Sequence, residues 1–184
     1  MKRPFDIAAR LAELGGDGRA AGQFEMRITA DGDWHYQGAR IPRPELVKLF
    51  ATALHRAEDG RYWLVTPFET GRVAVEDVPF TVVELVVEEP GSDQAIRLRT
   101  NLDAWVTLDA DHPLVMRLPP EGEHPAPYVT VRPAAPGRLA LEARLLRPVF
   151  YELVELAETA GAAADELGVR SRGCWFSLGR IHQP

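Results

Sequence analysis

The chain has one cysteine, almost no lysine and no long apolar run. A lone Cys174 can close no internal disulfide, which fits a reducing compartment better than an oxidising one. No stretch approaches the ~18 consecutive apolar residues that a membrane helix requires. Asp6 and Arg10 interrupt the start, so it does not read as a secretory leader, and a cytoplasmic location is expected. Lys2 and Lys48 are the only lysines; the other basic residues are arginines scattered among acids, and the net charge is −6. Nucleic-acid affinity comes largely from neutralised phosphates, so without a basic stripe no nucleic-acid partner is expected.

Motifs with chemistry in them are scarce as well. The five histidines (His35, His55, His112, His124, His182) show no paired-ligand spacing, and one cysteine makes no metal knuckle. Asp109-Ala110-Asp111-His112 is the densest ligand-type cluster, but it reads as a strand end entering a turn before Pro113. Gly15-Gly16-Asp17-Gly18 fits neither dinucleotide nor Walker spacing and reads as a linker. No serine lies in a GxSxG elbow, and Cys174 beside Trp175 reads as a packed strand residue. Neither a metal nor a cofactor is expected.

What is present suffices for a globular core. The 184 residues are 46% hydrophobic and 26% charged, enough for one substantial domain or two small ones without a covalent staple. Residues 5–14 have a short amphipathic helical pattern. Phe24–Ile28 alternates like a strand, Asp31-Gly32 gives a hairpin turn, and Trp34-His35-Tyr36 returns. From Pro44 the period becomes helical, with Leu46, Val47, Leu49, Phe50, Ala53 and Leu54 on the apolar face, and Asp59-Gly60 closes the element. Strands are expected over 62–66, 72–75, 80–87, 95–99, 104–108, 114–118, 128–131 and 139–145. A helix should follow Arg147-Pro148 with Phe150, Tyr151, Leu153, Val154 and Ala157 inward, and Trp175–Leu178 should form a last strand.

Residues 39–53 align with 143–157 at six identical positions, among them Arg43/Arg147 and Pro44/Pro148. The fold expected is therefore α+β: a mostly antiparallel sheet with two related strand–strand–helix–strand repeats and a short N-terminal helix. The expected organisation is residues 1–22 as helix and linker, 23–120 as first repeat with central strands, and 121–184 as second repeat. The three would form one compact unit with two subdomains.

The segments Asp31–Gly38, Leu46–Phe50, Tyr62–Glu69, Val75–Phe80, Thr100-Asn101, Pro127–Val129 and Ser171–Gly173 together resemble a bacterial family, domain of unknown function 1285. The resemblance runs from about residue 20 onward. It implies an α+β fold of repeated motifs and a suspected role in signal transduction, and it brings no catalytic residues. The family pattern commonly has a lysine after the glutamate of its Thr-Pro-x-Glu stretch, where this chain has Thr70.

Candidate site residues are few. Arg43 and Arg147 stand at helix starts, where the dipole disfavours positive charge, so each should be held by an acid such as Glu76 or Asp77 or should take an anion. Glu69 could pair with Glu76 or Asp77 across a hairpin for acid–base work, although Glu76 and Asp77 as neighbours point to opposite strand faces. Trp34 and Tyr36 share a face, either in the core or as a binding surface. The leading expectation is a non-catalytic module for a small anionic ligand or a protein partner. The alternatives are an enzyme using Glu69, Asp77, Arg43 and Arg147 in a cleft between the repeats, and a homodimeric structural subunit.

Overall fold

The computed structural model describes residues 6–14, 22–89, 91, 93–159 and 166–180. The glycine-rich linker expected at 15–21 lies outside the described residues. The chain divides into two compact units, residues 1–79 with 133–141 and residues 80–132 with 142–184. Strand makes up 48% and helix 14%, so short helices cover only part of each sheet face and the class is strand-dominated α+β. No helix among the described residues is long and apolar enough to cross a membrane.

The N-terminal unit runs α1 (Ile7–Leu14), β1 (Gly22–Ile28), β2 (Trp34–Tyr36), β3 (Ala39–Arg40), α2 (Pro44–Thr52), β4 (Leu54–Arg56), β5 (Tyr62–Val65) and β6 (Thr70–Val75). Its sheet has the order β3-β2-β1-β6-β5-β4. The Asp31-Gly32 turn forms as expected, with Gly32 at φ 82, a conformation that glycine adopts without strain. It sets Ile28 opposite Trp34 and Met26 opposite Tyr36. The 133–141 segment returns to this unit, where the Leu139 N–H donates to the Arg56 carbonyl at 2.8 Å.

Alternation in this sheet produces two apolar faces. On β5, Trp63 and Val65 pack with Leu11 of α1 and with Ala57. Thr70 is buried, and its hydroxyl accepts a bond from Arg10 Nε of the same helix. Leu64 points the other way, to the side shared with Met26 and Tyr36, where α2 lies. The sheet is thus covered by α1 on one side and α2 on the other.

The C-terminal unit contains β7 (Phe80–Glu88), β8 (Ala95–Thr100), β9 (Trp105–Thr107), β10 (Leu114–Arg117), β11 (Ala126–Arg132), β12 (Leu141–Leu145), α3 (Arg147–Glu155), β13 (Glu158–Thr159), β14 (Glu166–Ser171) and β15 (Cys174–Arg180). Strands β10-β11-β12-β7-β8-β9 form one sheet and β13-β14-β15 a second. The nearly continuous apolar strand β7 lies inside the larger sheet, as its sequence suggests. Buried Ser171 accepts the Ile96 N–H at 2.9 Å and the Arg172 N–H reaches the Gln94 carbonyl at 2.8 Å, so the β14–β15 hairpin is fastened to the start of β8.

The pairing is mostly antiparallel, as expected, but each six-stranded sheet also has a parallel pair, β1 with β6 and β7 with β12. Two other expectations need correction. The helix from Pro44 ends at Thr52, and Leu54 belongs to a strand. A hairpin around Ala57–Gly60, closed by Ala57 N–H to Arg61 O with Gly60 at φ 84, captures that segment. The aligned segments do share a nine-residue helix each, but α2 buries Val47 and Ala51 whereas α3 buries Val149 and Leu153. In the alignment these positions are offset by two residues, roughly 200° around a helix. The two segments share a helix start and pack on opposite faces. The likeness between the units lies in the sheets, each with its first and last strands paired in parallel at the centre.

Candidate functional site

The N-terminal unit holds a cavity of about 380 Å³ between α2 and its sheet, lined by Met26, Tyr36, Ile41, Leu46, Phe50, Leu64, Thr66 and Glu69. Met26 and Leu64, each 4% exposed, form the floor from adjacent parts of the sheet. Leu46 and Phe50 are one helical turn apart on α2 and form a wall. They stand beside the stripe that seals the core, since Val47 and Ala51 are the buried residues of that helix. The apolar run of α2 is therefore broader than one core-facing stripe, and its surplus faces the cavity. Leu46 remains 37% exposed, so its place on the apolar face of α2 does not bury it fully.

Polar groups sit at the edge. Tyr36 ends β2 and is 43% exposed. Glu69 is carried by the β5–β6 turn, whose geometry Thr66 holds. The Thr66 hydroxyl accepts the N–H groups of Phe68 (3.3 Å) and Glu69 (2.9 Å), and it donates to the Glu69 carbonyl at 2.9 Å. The Thr66 N–H donates to the same carbonyl at 2.9 Å. This self-satisfied turn fixes the Glu69 backbone at both ends while leaving its carboxylate with no partner among the described residues. It also presents Phe68, 95% exposed, to solvent.

Of the seven residues singled out from sequence, six belong to the N-terminal unit and Arg147 to the C-terminal one. Tyr36 and Glu69 meet at the cavity. Trp34 shares the Tyr36 face but is a core residue, 2% exposed. Glu69 precedes β6 whereas Glu76 and Asp77 follow it, so a six-residue strand of roughly 20 Å keeps the carboxylates apart and no acid pair forms. Glu76 accepts the Ala30 N–H at 2.8 Å and pairs with Arg27 rather than Arg43. The Ala30 N–H first, then Arg27, hold its carboxyl below the ordinary glutamate range.

Arg43 occupies the N-cap of α2 and Arg147 the first turn of α3; both are exposed and neither has a side-chain partner among the described residues. Arg43 belongs to the N-terminal unit and Arg147 to the C-terminal one. Asp109 is engaged in its turn, accepting the N–H groups of Asp111 (2.9 Å) and His112 (2.8 Å). Among the described residues, no group of three or more His, Cys, Asp or Glu side chains could hold a metal ion. Sequence reading named Tyr36 and Glu69 and missed Met26, Ile41, Leu46, Phe50, Leu64 and Thr66 as lining residues. The Thr66-x-x-Glu69 spacing at a strand end was the available signal for a hydroxyl-held turn.

Fold and site together define a two-unit, strand-dominated α+β protein with an apolar cavity in its first unit. The Domain of unknown function (DUF1285), N-terminal domain, matches residues 17–78, and the Protein of unknown function (DUF1285), C-terminal domain, matches residues 79–178; the chain belongs to this family. A crystal structure of a DUF1285 family protein from Silicibacter pomeroyi DSS-3 is 37% identical, with 87% of this chain and 82% of that chain covered and a TM-score of 0.76. A second, from Shewanella baltica OS155, is 30% identical, with 72% and 91% covered and a TM-score of 0.53. No curated protein matches the chain.

Proposed function

We propose that the chain is a non-catalytic binding module whose N-terminal unit takes a small, largely apolar ligand in the cavity between α2 and the sheet. The observation that carries this reading is the lining: five aliphatic or thioether and aromatic side chains around about 380 Å³, with Tyr36, Thr66 and Glu69 as the polar positions. Ligand sites are typically of this size, mostly apolar, with a few polar groups at fixed places. A catalytic reading gains little from this lining. Glu69 is its one carboxylate among the described residues, and the Thr66 hydroxyl is committed to the turn. The role in signalling that the family resemblance implies would then be ligand sensing.

The test uses the neutral fluorophore N-phenyl-1-naphthylamine with the full chain and with Leu46→Trp, which enlarges a partly exposed wall residue without entering the core. Saturable one-to-one binding by the wild type, lost in Leu46→Trp at unchanged melting temperature, is expected. Absence of saturable binding, or equal binding by the variant, would refute the reading. Exposed Phe68, on the same turn as Glu69, favours a protein partner as the second reading. In that case Phe68→Ser would abolish partner capture while leaving fluorophore binding intact.

A further inference from the structure

We infer that the ligand of this cavity carries a protonated amine, which sits against Glu69; the inference rests on the binding reading above. In the same unit Asp33 is paired with Arg40, Glu45 with Lys48, Asp59 with Arg61 and Glu76 with Arg27, while Glu25, Asp31 and Glu58 have no side-chain partner among the described residues but lie outside the cavity lining. Glu69 is the acid that lines the cavity, and its carboxylate answers to none of the described residues. Its turn is built before any ligand arrives, since Thr66 already satisfies the Glu69 N–H and carbonyl. A carboxylate held on a preformed turn gives up little conformational freedom when it meets a cation.

The remaining lining agrees with that charge. Among the described residues it contains no arginine, lysine or histidine, so an anionic head would meet one negative charge and no compensating one there. The ligand inferred for this cavity differs from the anionic one expected from sequence, since Arg43 lies on the exposed N-cap of α2 and is not among the described lining residues. Tyr36 adds an aromatic face at the same edge, and ring faces attract ammonium groups. The apolar floor of Met26 and Leu64 then takes an aryl or branched aliphatic body, giving an apolar amine as the ligand class.

Calorimetric titration of three ligands with one body and different heads separates this inference from the binding reading. They are 3-phenylpropylamine, 3-phenylpropan-1-ol and 3-phenylpropanoate, tested on the wild type, Glu69→Gln and Glu69→Lys. The expected order for the wild type is amine, alcohol, carboxylate. Charge-assisted hydrogen bonding to a solvent-reachable acid should favour the amine by about tenfold over the alcohol. In Glu69→Gln that preference should collapse to within about twofold, and in Glu69→Lys the carboxylate should bind best. Glu69 is exposed and its turn is held by Thr66, so both variants should melt like the wild type.

If the alcohol binds as tightly as the amine, or Glu69→Gln keeps the preference, the amine inference is overturned while the cavity reading survives. If none of the three binds although N-phenyl-1-naphthylamine does, the inference again falls alone. If the fluorophore also fails to bind, both fall.

Discussion

Truncating two leucines that line the same cavity should have very different consequences for stability. Leu64 is 4% exposed, lies on β5 between Leu54 and Gly71 and forms the cavity floor. Leu64→Ala deletes a buried side chain and should cost about 2–5 kcal/mol, the transfer loss plus the enlarged void left behind. Leu46 is 37% exposed and already borders empty space. Over a third of its surface is already open to solvent, so Leu46→Ala should cost less, about 1–1.5 kcal/mol. Urea unfolding is followed by fluorescence in a Trp105→Phe, Trp175→Phe background, so that Trp34 and Trp63 of the N-terminal unit report alone. Midpoints are compared at equal slope, because a changed slope would signal an altered end state. Leu46→Ala should also keep a cavity that binds the fluorophore more weakly. Equal losses for the two variants would show that α2 is sealed onto the sheet in solution, and the cavity reading would fall.

Gly168 has no room for a methyl group: a Cβ there would lie 2.4 Å from Trp175 Cζ2 and 2.5 Å from the Phe176 carbonyl oxygen. Gly168→Ala should cost about 1–3 kcal/mol by calorimetry, and a neutral result would mean that the β14–β15 hairpin shifts freely. The depressed carboxyl of Glu76 contributes stability above the ordinary glutamate range and loses it as pH falls through the folded-state value. The stability gap between wild type and Glu76→Gln should therefore narrow from about pH 6 to about pH 3, and a constant gap would contradict the assigned contacts. Arg43 caps α2 with extended backbone (φ −102, ψ 106) and no side-chain bond. Arg43→Asp supplies both a cap acceptor and a charge that suits the dipole, so a gain of about 0.5–2 kcal/mol in urea unfolding is expected. No gain would show that Arg43 is engaged in solution.

Local patterns in this chain were legible where short-range physics sets the outcome. The Asp31-Gly32 hairpin, the Pro44 helix start and the apolar run of β7 follow from turn chemistry, proline geometry and alternation. The end of α2 was not legible, because Ala53 and Leu54 continue its apolar period. Only the hairpin closed by Ala57 and Arg61 decides that Leu54 is in a strand. The aligned segments misled for a related reason. An Arg-Pro helix start is a local signal, whereas the face a helix buries depends on the sheet it meets, and α2 and α3 meet theirs differently. Parallel pairing of β1 with β6 is set by residues 47 or more positions apart (Met26 with Val73, for example), beyond any local pattern.

The site was half legible, and the missing half has one cause. Tyr36 and Glu69 attract attention as side chains, because an aromatic beside a turn and a carboxylate at a strand end carry chemistry in themselves. A cavity carries none: it exists where the atoms of Met26, Ile41, Leu46, Phe50 and Leu64 fail to meet, and each of those residues is of the kind that fills cores elsewhere. Helical period ranks Leu46 and Phe50 as core, and that ranking is correct for the side of α2 they occupy. It cannot say that the sheet opposite them recedes. For the arginines the inference runs in the opposite direction. Their charge at a helix start suggests a bound partner only if stability were optimised at every position, and a protein needs only enough. Arg43 and Arg147, exposed at their helix starts, are compatible with tolerated cost, whereas the unpaired carboxylate of Glu69 coincides with a cavity and gains its meaning from that coincidence.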